Sequence, residues 1–223
     1  MRNITLYSYP GACSRVTMCA LEEAGLAYDT CWIDVTSQEQ HSKEYLALNR
    51  KAKVPALVVG GQTLTENAAI LQYIHQISPD AGLLPTTGSA LLDAQLVSDL
   101  MWCGGTLHPM VRQIRAPQKW TVEADAASGI CADGMAKLAY ESAYIDARIA
   151  TSKWWYGDKW SIVDVYLYWV TSTAGRSGFS LSAFPAIREH AARVRERPSF
   201  QRTVAHEALA AKRAGIPVDP SSF

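Results

Sequence analysis

The sequence has no excess of charge of either sign, because its 223 residues include 21 lysines and arginines and 21 aspartates and glutamates. Such a balance argues against a nucleic acid or an anionic membrane surface as the partner. The sequence also contains no apolar run of the roughly 20 residues that a membrane-spanning helix needs. Its opening residues, MRNITLYSYP, enter a strand-like pattern at once, without the apolar stretch of a signal peptide. These absences predict a soluble globular protein inside the cell.

Cysteine is present, but not in the patterns that build disulfide or zinc scaffolds. The five cysteines are an odd number, and no two of them form a CxxC pair. Disulfide frameworks use even numbers of cysteines, whereas zinc clusters use closely spaced pairs. We therefore expect free thiols, no metal, and the reducing environment of the cytoplasm.

Residues 4–77 alternate short strand patterns with helix patterns. Ser14 is a candidate N-cap of the first helix, and Gly25 is the residue expected to end it. Further on, a Gly-Gly pair joins VPALVV to QTLT, which predicts a β-hairpin. Asn67 is the candidate cap of the next helix. The predicted order is β-α-β, a loosely helical segment, and then β-β-α.

The chain beyond the hairpin region is almost entirely helical by pattern. Its clearest start signal is WSIVDVYLYWV, where Ser161 and Asp164 have the spacing of a capping box. We expect this apolar helix to be buried, and loss of the Ser161 cap to cost about 1 kcal/mol. Gly104, Gly105 and Pro109 should loosen or kink the first helix of this half. The predicted helices lie near 89–115, 123–150, 161–175, 184–196 and 199–212.

Taken in order, these features resemble a cytosolic glutathione S-transferase over essentially the whole chain. The resemblance rests on the strand–helix half, on KVPAL before the hairpin, on LTEN at a helix start, and on SIVD in the helical half. The stretch YPGACSRVTMCALEEAGL is most similar to the bacterial beta class, which has a cysteine at the place of Cys13. The resemblance implies an α/β thioredoxin-like N-terminal domain (βαβ-α-ββα) at 1–80, a linker at 81–89 and an all-α domain at 90–223.

The resemblance also implies an activity and its partners. The enzyme would bind glutathione as a co-substrate on the N-terminal domain and add its thiolate to a small hydrophobic electrophile held against the helical domain, which is a detoxification reaction. It would be a cytoplasmic homodimer without a metal cofactor, and it would bind neither nucleic acid nor a membrane.

Glutathione is an extended peptide with two carboxylates, an ammonium and a thiol, and the resemblance implies where each part binds. A cis bond at Val54-Pro55 would turn the backbone of Val54 toward the ligand's peptide. The helix start at Glu66 and Asn67 would hold the γ-glutamyl end, because helix N–H groups and the helix dipole favour a carboxylate. The remaining candidates are Lys53 and its neighbour Lys51, for the glycyl carboxylate, and His108.

The group that activates the glutathione sulfur stays open between Cys13, Ser14 and Tyr9. A thiol has a pKa near ~8.5, so a donor or a positive potential must favour the thiolate. Cys13 ranks first, since Ser8 stands where other classes of the family have a tyrosine. Cys19 and Cys31 are expected to be inert core thiols. The candidates for the electrophile pocket are Trp102, Arg112, Arg115 and Trp169.

Two other functions remain open on the same fold. Cys13 could be the covalent nucleophile of a glutathione-dependent thiol-disulfide reductase or lyase. Such a reductase would use one thiol only, because Val16 stands where a second cysteine would be needed. The third hypothesis is a non-catalytic glutathione-binding protein, since a fold does not fix a function.

Overall fold

The computed structural model describes residues 3–215, which form two compact units. The first unit comprises the described residues up to Leu83 together with those from Arg197 onward. The second unit is the segment Leu84–Glu196. The domain boundaries at 80 and 90 stay a prediction. The tail AGIPVDPSSF, which falls in the predicted helical domain, lies almost entirely outside the described residues.

A four-stranded mixed sheet forms the centre of the first unit. Its strand order is β2-β1-β3-β4, with β1 parallel to β2, and with β3 antiparallel to both β1 and β4. This arrangement confirms the predicted thioredoxin-like fold, and the hairpin is the one that the Gly-Gly pair predicts. The strands are β1 (Ile4–Ser8), β2 (Asp29–Trp32), β3 (Ala56–Val59) and β4 (Gln62–Thr65).

The helices of the first unit cover this sheet and extend its core. Leu6 and Leu57 of the sheet are fully buried, as are Val16 and Ile70 on the helices. The last helix of the described chain packs against the first one. These helices are α1 (Ser14–Glu23), α2 (Lys43–Leu48), α3 (Asn67–Ile77) and α9 (Pro198–Ala214).

Two predicted helix caps are wrong. Helix α1 has Cys13 at its N-cap position and no side-chain cap, and α3 likewise follows Glu66 without one. Ser14 and Asn67 are therefore the first helical residues and not caps. The reason is that both side chains make buried hydrogen bonds to other segments. Gly25 has φ +62° and directly follows Ala24, the C-cap of α1, as predicted.

The second unit is helical, and its first predicted helix is interrupted. A π-helical turn at Cys103–Leu107 separates α4 from α5, which is the loosening that Gly104, Gly105 and Pro109 predict. Within residues 3–215, no helix is both long and apolar enough to cross a membrane. The helices of this unit are α4 (Ala90–Trp102), α5 (His108–Arg115), α6 (Ala124–Ala150), α7 (Ile162–Arg176) and α8 (Pro185–Arg195).

Helix α7 is the buried helix of the second unit. Twelve of its side chains are buried, which confirms the prediction from its continuous apolar sequence. The predicted capping box is present: Ser161 and Asp164 each bond to the other's backbone N–H. The start of α7 is therefore the one that the local sequence predicts.

Candidate active site

Cys13 lies directly before α1, where it faces the segment that leads into β3. Its side chain is buried, with 8% exposed, and its Sγ donates to the carbonyl oxygen of Val54 at 3.6 Å. The Val54-Pro55 peptide bond is cis, as predicted. The structure therefore brings Cys13, Val54 and Pro55 together at one end of the sheet.

Hydrogen bonds from α2 and the loop after it hold the residue before Val54. The hydroxyl of Tyr45 and Nδ2 of Asn49 each donate to the carbonyl oxygen of Lys53 at 2.7 Å. Ala52, one residue earlier, has φ +52°, a left-handed conformation that non-glycine residues rarely adopt. The side chain of Lys53 is exposed. The approach to the cis bond is thus fixed through the backbone, while the lysine side chain faces solvent.

Asn67 connects the start of α3 to α1. Its Nδ2 donates to the carbonyl oxygen of Cys13 at 3.0 Å, and its Oδ1 accepts from the hydroxyl of Thr17 at 2.7 Å. The residue is buried, with 6% exposed. The two helix starts that the sequence assigns to the site are therefore joined by one amide group.

Glu66 has an unusual backbone and an exposed ion pair. Its φ is +72°, and it turns the chain from β4 into α3. Its carboxylate lies 2.8 Å from Nζ of Lys51, and both side chains are largely exposed. An exposed pair of this kind is worth at most about 1 kcal/mol, so either partner can turn to another charge at low cost.

The other two candidates for sulfur activation are tied to the loop before Cys13. Ser14 Oγ accepts from Ser8 Oγ at 2.9 Å and from the backbone N–H of Tyr9 at 3.3 Å. Ser8 and Ser14 are fully buried, whereas Tyr9 is half-buried. These hydrogen bonds of the Ser14 side chain link the end of β1 to the start of α1.

Three of the other cysteines have thiols that burial keeps protonated. Burial raises the pKa of Cys19 to about 12, and it raises the pKa of Cys103 well above the usual value. The pKa of Cys31 is raised too, chiefly by partial burial. A thiol is a poor nucleophile in its protonated form, which agrees with the inert roles expected for Cys19 and Cys31.

The candidates in the second unit lie on three helices, α4, α5 and α7. His108 meets the buried ring of Trp169 edge-to-face, with the ring centres 4.6 Å apart. Trp102 stacks on the ring of Trp155 at 5.5 Å. Arg112 and Arg115 are exposed on α5. His108 on α5 and Trp169 on α7 are therefore in direct ring contact.

Comparison with known proteins identifies the family. The family model "Glutathione S-transferase, N-terminal domain" matches residues 2–76. Over 182 residues, which are 82% of this chain and 88% of the relative, the sequence is 30% identical to "Glutathione S-transferase GST-4.5" of Xanthomonas campestris. The chain belongs to the glutathione S-transferase family. It is thus an enzyme of the expected family.

Solved structures of other glutathione S-transferases agree with this assignment. A glutathione transferase homolog from Sulfitobacter, with bound glutathione, is 29% identical with a TM-score of 0.81, and the match covers 97% of this chain and 100% of that one. The beta-class enzyme from Sphingomonas chungbukensis is 30% identical with a TM-score of 0.80, and the match covers 92% and 99% of the two chains. The fold and the similarity to the beta class are both confirmed.

Sequence reasoning missed three residues that hold the candidate site of this glutathione S-transferase. Thr17 binds Asn67, while Tyr45 and Asn49 bind the backbone of Lys53. A signal for Thr17 is present, since it follows Cys13 by four residues and so lies on the same face of α1. No sequence signal marks Tyr45 and Asn49, because both bind a backbone carbonyl, a group that every residue has.

Proposed function

We propose that the protein binds glutathione at the start of α1 and α3 and adds its thiolate to hydrophobic electrophiles. The observation that carries the proposal is the position of the Cys13 thiol, 3.6 Å from the carbonyl oxygen of Val54 in the segment that leads into β3. An extended peptide that pairs with the backbone of Val54 would place its own cysteine beside Cys13. This is the arrangement that a thiol-containing tripeptide requires.

The charged ends of glutathione have partners of the right sign in the first unit. The N-terminus of α3, which Asn67 ties to α1, offers backbone N–H groups and a positive dipole to the γ-glutamyl carboxylate. Glu66 can meet the ammonium, and Lys51 or Lys53 the glycyl carboxylate. Ligand binding would then replace the exposed pair between Lys51 and Glu66 with pairs to the ligand.

The chemical step needs little from the chain beyond position and thiolate stabilisation. The glutathione thiol loses its proton to water, the sulfur attacks the electrophilic carbon, and a C–S bond forms as the leaving group departs with its electron pair. The positive end of α1, where Cys13 lies, favours the thiolate. Ser14 and Tyr9 remain the alternative donors. The roles of His108 at glutathione and of Trp102, Arg112, Arg115 and Trp169 at the electrophile rest on the resemblance alone.

We further propose that the enzyme is a cytoplasmic homodimer with a detoxification role, as the resemblance implies. Exposed apolar side chains on the second unit support the dimer. Leu91 and Met101 on α4 are 80% and 55% exposed, and Tyr140 on α6 is 79% exposed. Burial of such large apolar side chains against a second copy of the chain would remove their apolar surface from water.

Titration calorimetry with glutathione tests the proposal directly. We expect saturable heat at millimolar ligand or below, and a glutathione analogue with serine in place of cysteine should bind more weakly because it has no sulfur to place beside Cys13. The absence of detectable heat or of any thermal shift at millimolar glutathione would contradict both the transferase and the reductase.

Cys13→Ala distinguishes the transferase from a thiol-disulfide reductase. If Cys13 only stabilises the glutathione thiolate, transfer to a chlorinated aromatic acceptor should fall by no more than about tenfold, because the substrate's own sulfur makes the bond. Reduction of hydroxyethyl disulfide through a Cys13–glutathione mixed disulfide should fall to background. Cys31→Ala serves as the control and should leave both rates unchanged. If the variant lost both activities equally, the stabilising role would be wrong.

A further inference from the structure

A fully buried ion pair joins α1 to α9, the first and last helices of the first unit. Arg15 on α1 and Glu207 on α9 both have side chains with no exposed surface. Nε of Arg15 donates to Oε2 of Glu207 at 2.7 Å, and Nη2 of Arg15 lies 2.5 Å from the same oxygen. Two charges removed from water in this way carry a large desolvation cost, which the pair must offset by its geometry.

The same carboxylate also binds the loop that carries Cys13. Oε1 of Glu207 accepts from the backbone N–H of Gly11 at 3.3 Å. Gly11 has φ +75°, so the loop turns there in a conformation that favours glycine. Gly11 stands two residues before Cys13, and Arg15 stands two residues after it. Glu207 therefore holds the chain on both sides of the thiol.

Other ion pairs between α1 and α9 lie elsewhere. Glu22 pairs with Arg202 and Glu23 with Arg197, at the far end of α1, and the side chains of both pairs keep some exposed surface. These pairs can hold the two helices together without contact to the Cys13 loop. Helix packing alone thus gives no reason for a fully buried carboxylate beside Gly11, and an apolar pair would serve stability as well.

We propose that Glu207 is a positioning residue for Cys13. By binding Gly11 and Arg15 together, it fixes the loop so that the Cys13 thiol stays turned toward the carbonyl oxygen of Val54. Helix α9, although more than 190 residues away in sequence, thereby belongs to the support of the site. The consequence for glutathione rests on the proposed function, whereas the position of the thiol does not.

The test uses two changes at the pair and a matched control, all in the full chain. Glu207→Asp keeps a carboxylate opposite Arg15 but shortens its reach to Gly11. The double change Arg15→Leu and Glu207→Leu removes both charges and leaves an apolar pair, which buried sites commonly accept without unfolding. Glu23→Asp is the control, because it shortens a carboxylate between the same two helices away from the loop.

Two measurements separate positioning from stability. The first is the rate of Cys13 alkylation by iodoacetamide across pH, with the modified peptide identified by mass spectrometry; it needs no glutathione. The second is the KM for glutathione compared with kcat. Urea unfolding of each variant shows how much global stability has changed.

We expect both changes at Glu207 to speed alkylation of Cys13 by about tenfold, because a loop without its anchor opens more often. The KM for glutathione should rise more than kcat falls. Glu23→Asp should leave both readouts at the wild-type level even where it lowers stability. The proposal would be overturned if Cys13 were alkylated at the wild-type rate in both Glu207 variants. It would also be overturned if Glu23→Asp raised the alkylation rate as much as they do. Faster alkylation in a protein that binds no glutathione would support the positioning role and contradict the proposed function.

Discussion

Asp164→Ala should lower the free energy of unfolding by about 4 kcal/mol, because one carboxylate at the start of α7 satisfies several buried donors. Its Oδ2 accepts from the backbone N–H of Ser161 at 2.9 Å and from the Ser161 hydroxyl at 3.0 Å. Its Oδ1 accepts from the backbone N–H of Trp155 at 2.8 Å and lies 2.8 Å from Nε2 of His190. Asp164 has no exposed surface, so with alanine at this position water could not reach these groups to replace the carboxylate as their hydrogen-bond partner.

Urea unfolding followed by tryptophan fluorescence measures this loss. Ser161→Ala is the matched control, since it removes the other half of the capping box but leaves Asp164 with its remaining contacts. That change should cost only about 1 kcal/mol. If Asp164→Ala costs no more than Ser161→Ala, the carboxylate acts as an ordinary cap and the buried network adds nothing.

The features that sequence predicted correctly are those that depend on neighbours in the chain. The capping box needs two residues three apart, and the hairpin needs the pair Gly60-Gly61 between two strand patterns. Two glycines and a proline within one helix predict a loosening or kink, which the structure has as a π-helical turn. Each of these rules works on a few consecutive residues, so a single sequence is enough to apply it.

The failed helix caps have the opposite cause. Ser14 and Asn67 have the side chains of good caps, yet both are used for bonds to other segments. A competing partner that is distant in sequence, such as Thr17 for Asn67, leaves no mark near the helix start. Local sequence preferences therefore predict the first residue of each helix to within one position. They assign the wrong role to the side chain of that residue.

The proximity of Cys13, Val54 and Asn67 could be predicted from the sequence, but the contacts that support them could not. Cys13, Val54 and Asn67 do lie together, which follows from the order of the thioredoxin-like elements. Glu207 could not be found, because its partners Gly11 and Arg15 are nearly the whole chain away. A carboxylate on an amphipathic helix looks like a surface residue until the tertiary fold buries it.

The second prediction concerns Asn67, whose replacement should affect binding and stability together. Asn67→Leu keeps the approximate volume of the side chain but removes the donor to the carbonyl oxygen of Cys13 and the acceptor of the Thr17 hydroxyl. The carbonyl oxygen of Cys13 keeps a partner, the backbone N–H of Val16 at 3.1 Å, so only a bond is lost there, at about 1 kcal/mol. The buried Thr17 hydroxyl loses its acceptor at about 1–3 kcal/mol, so we expect a total loss of roughly 2–4 kcal/mol of stability. The start of α3 should also shift away from α1, and the dissociation constant for glutathione should rise more than tenfold.

Thr17→Val separates the two bonds of Asn67. This change removes the hydroxyl that donates to Oδ1 but leaves the bond from Nδ2 to the carbonyl oxygen of Cys13. Because that second bond joins α3 to the thiol-bearing loop, Thr17→Val should lose about 1 kcal/mol of stability while glutathione affinity stays within a few-fold of the wild type. Titration calorimetry with glutathione gives the dissociation constants of both variants and so compares the two bonds. If Thr17→Val weakens glutathione binding as much as Asn67→Leu does, then the bond to Cys13 is not what sets the helix start for the ligand.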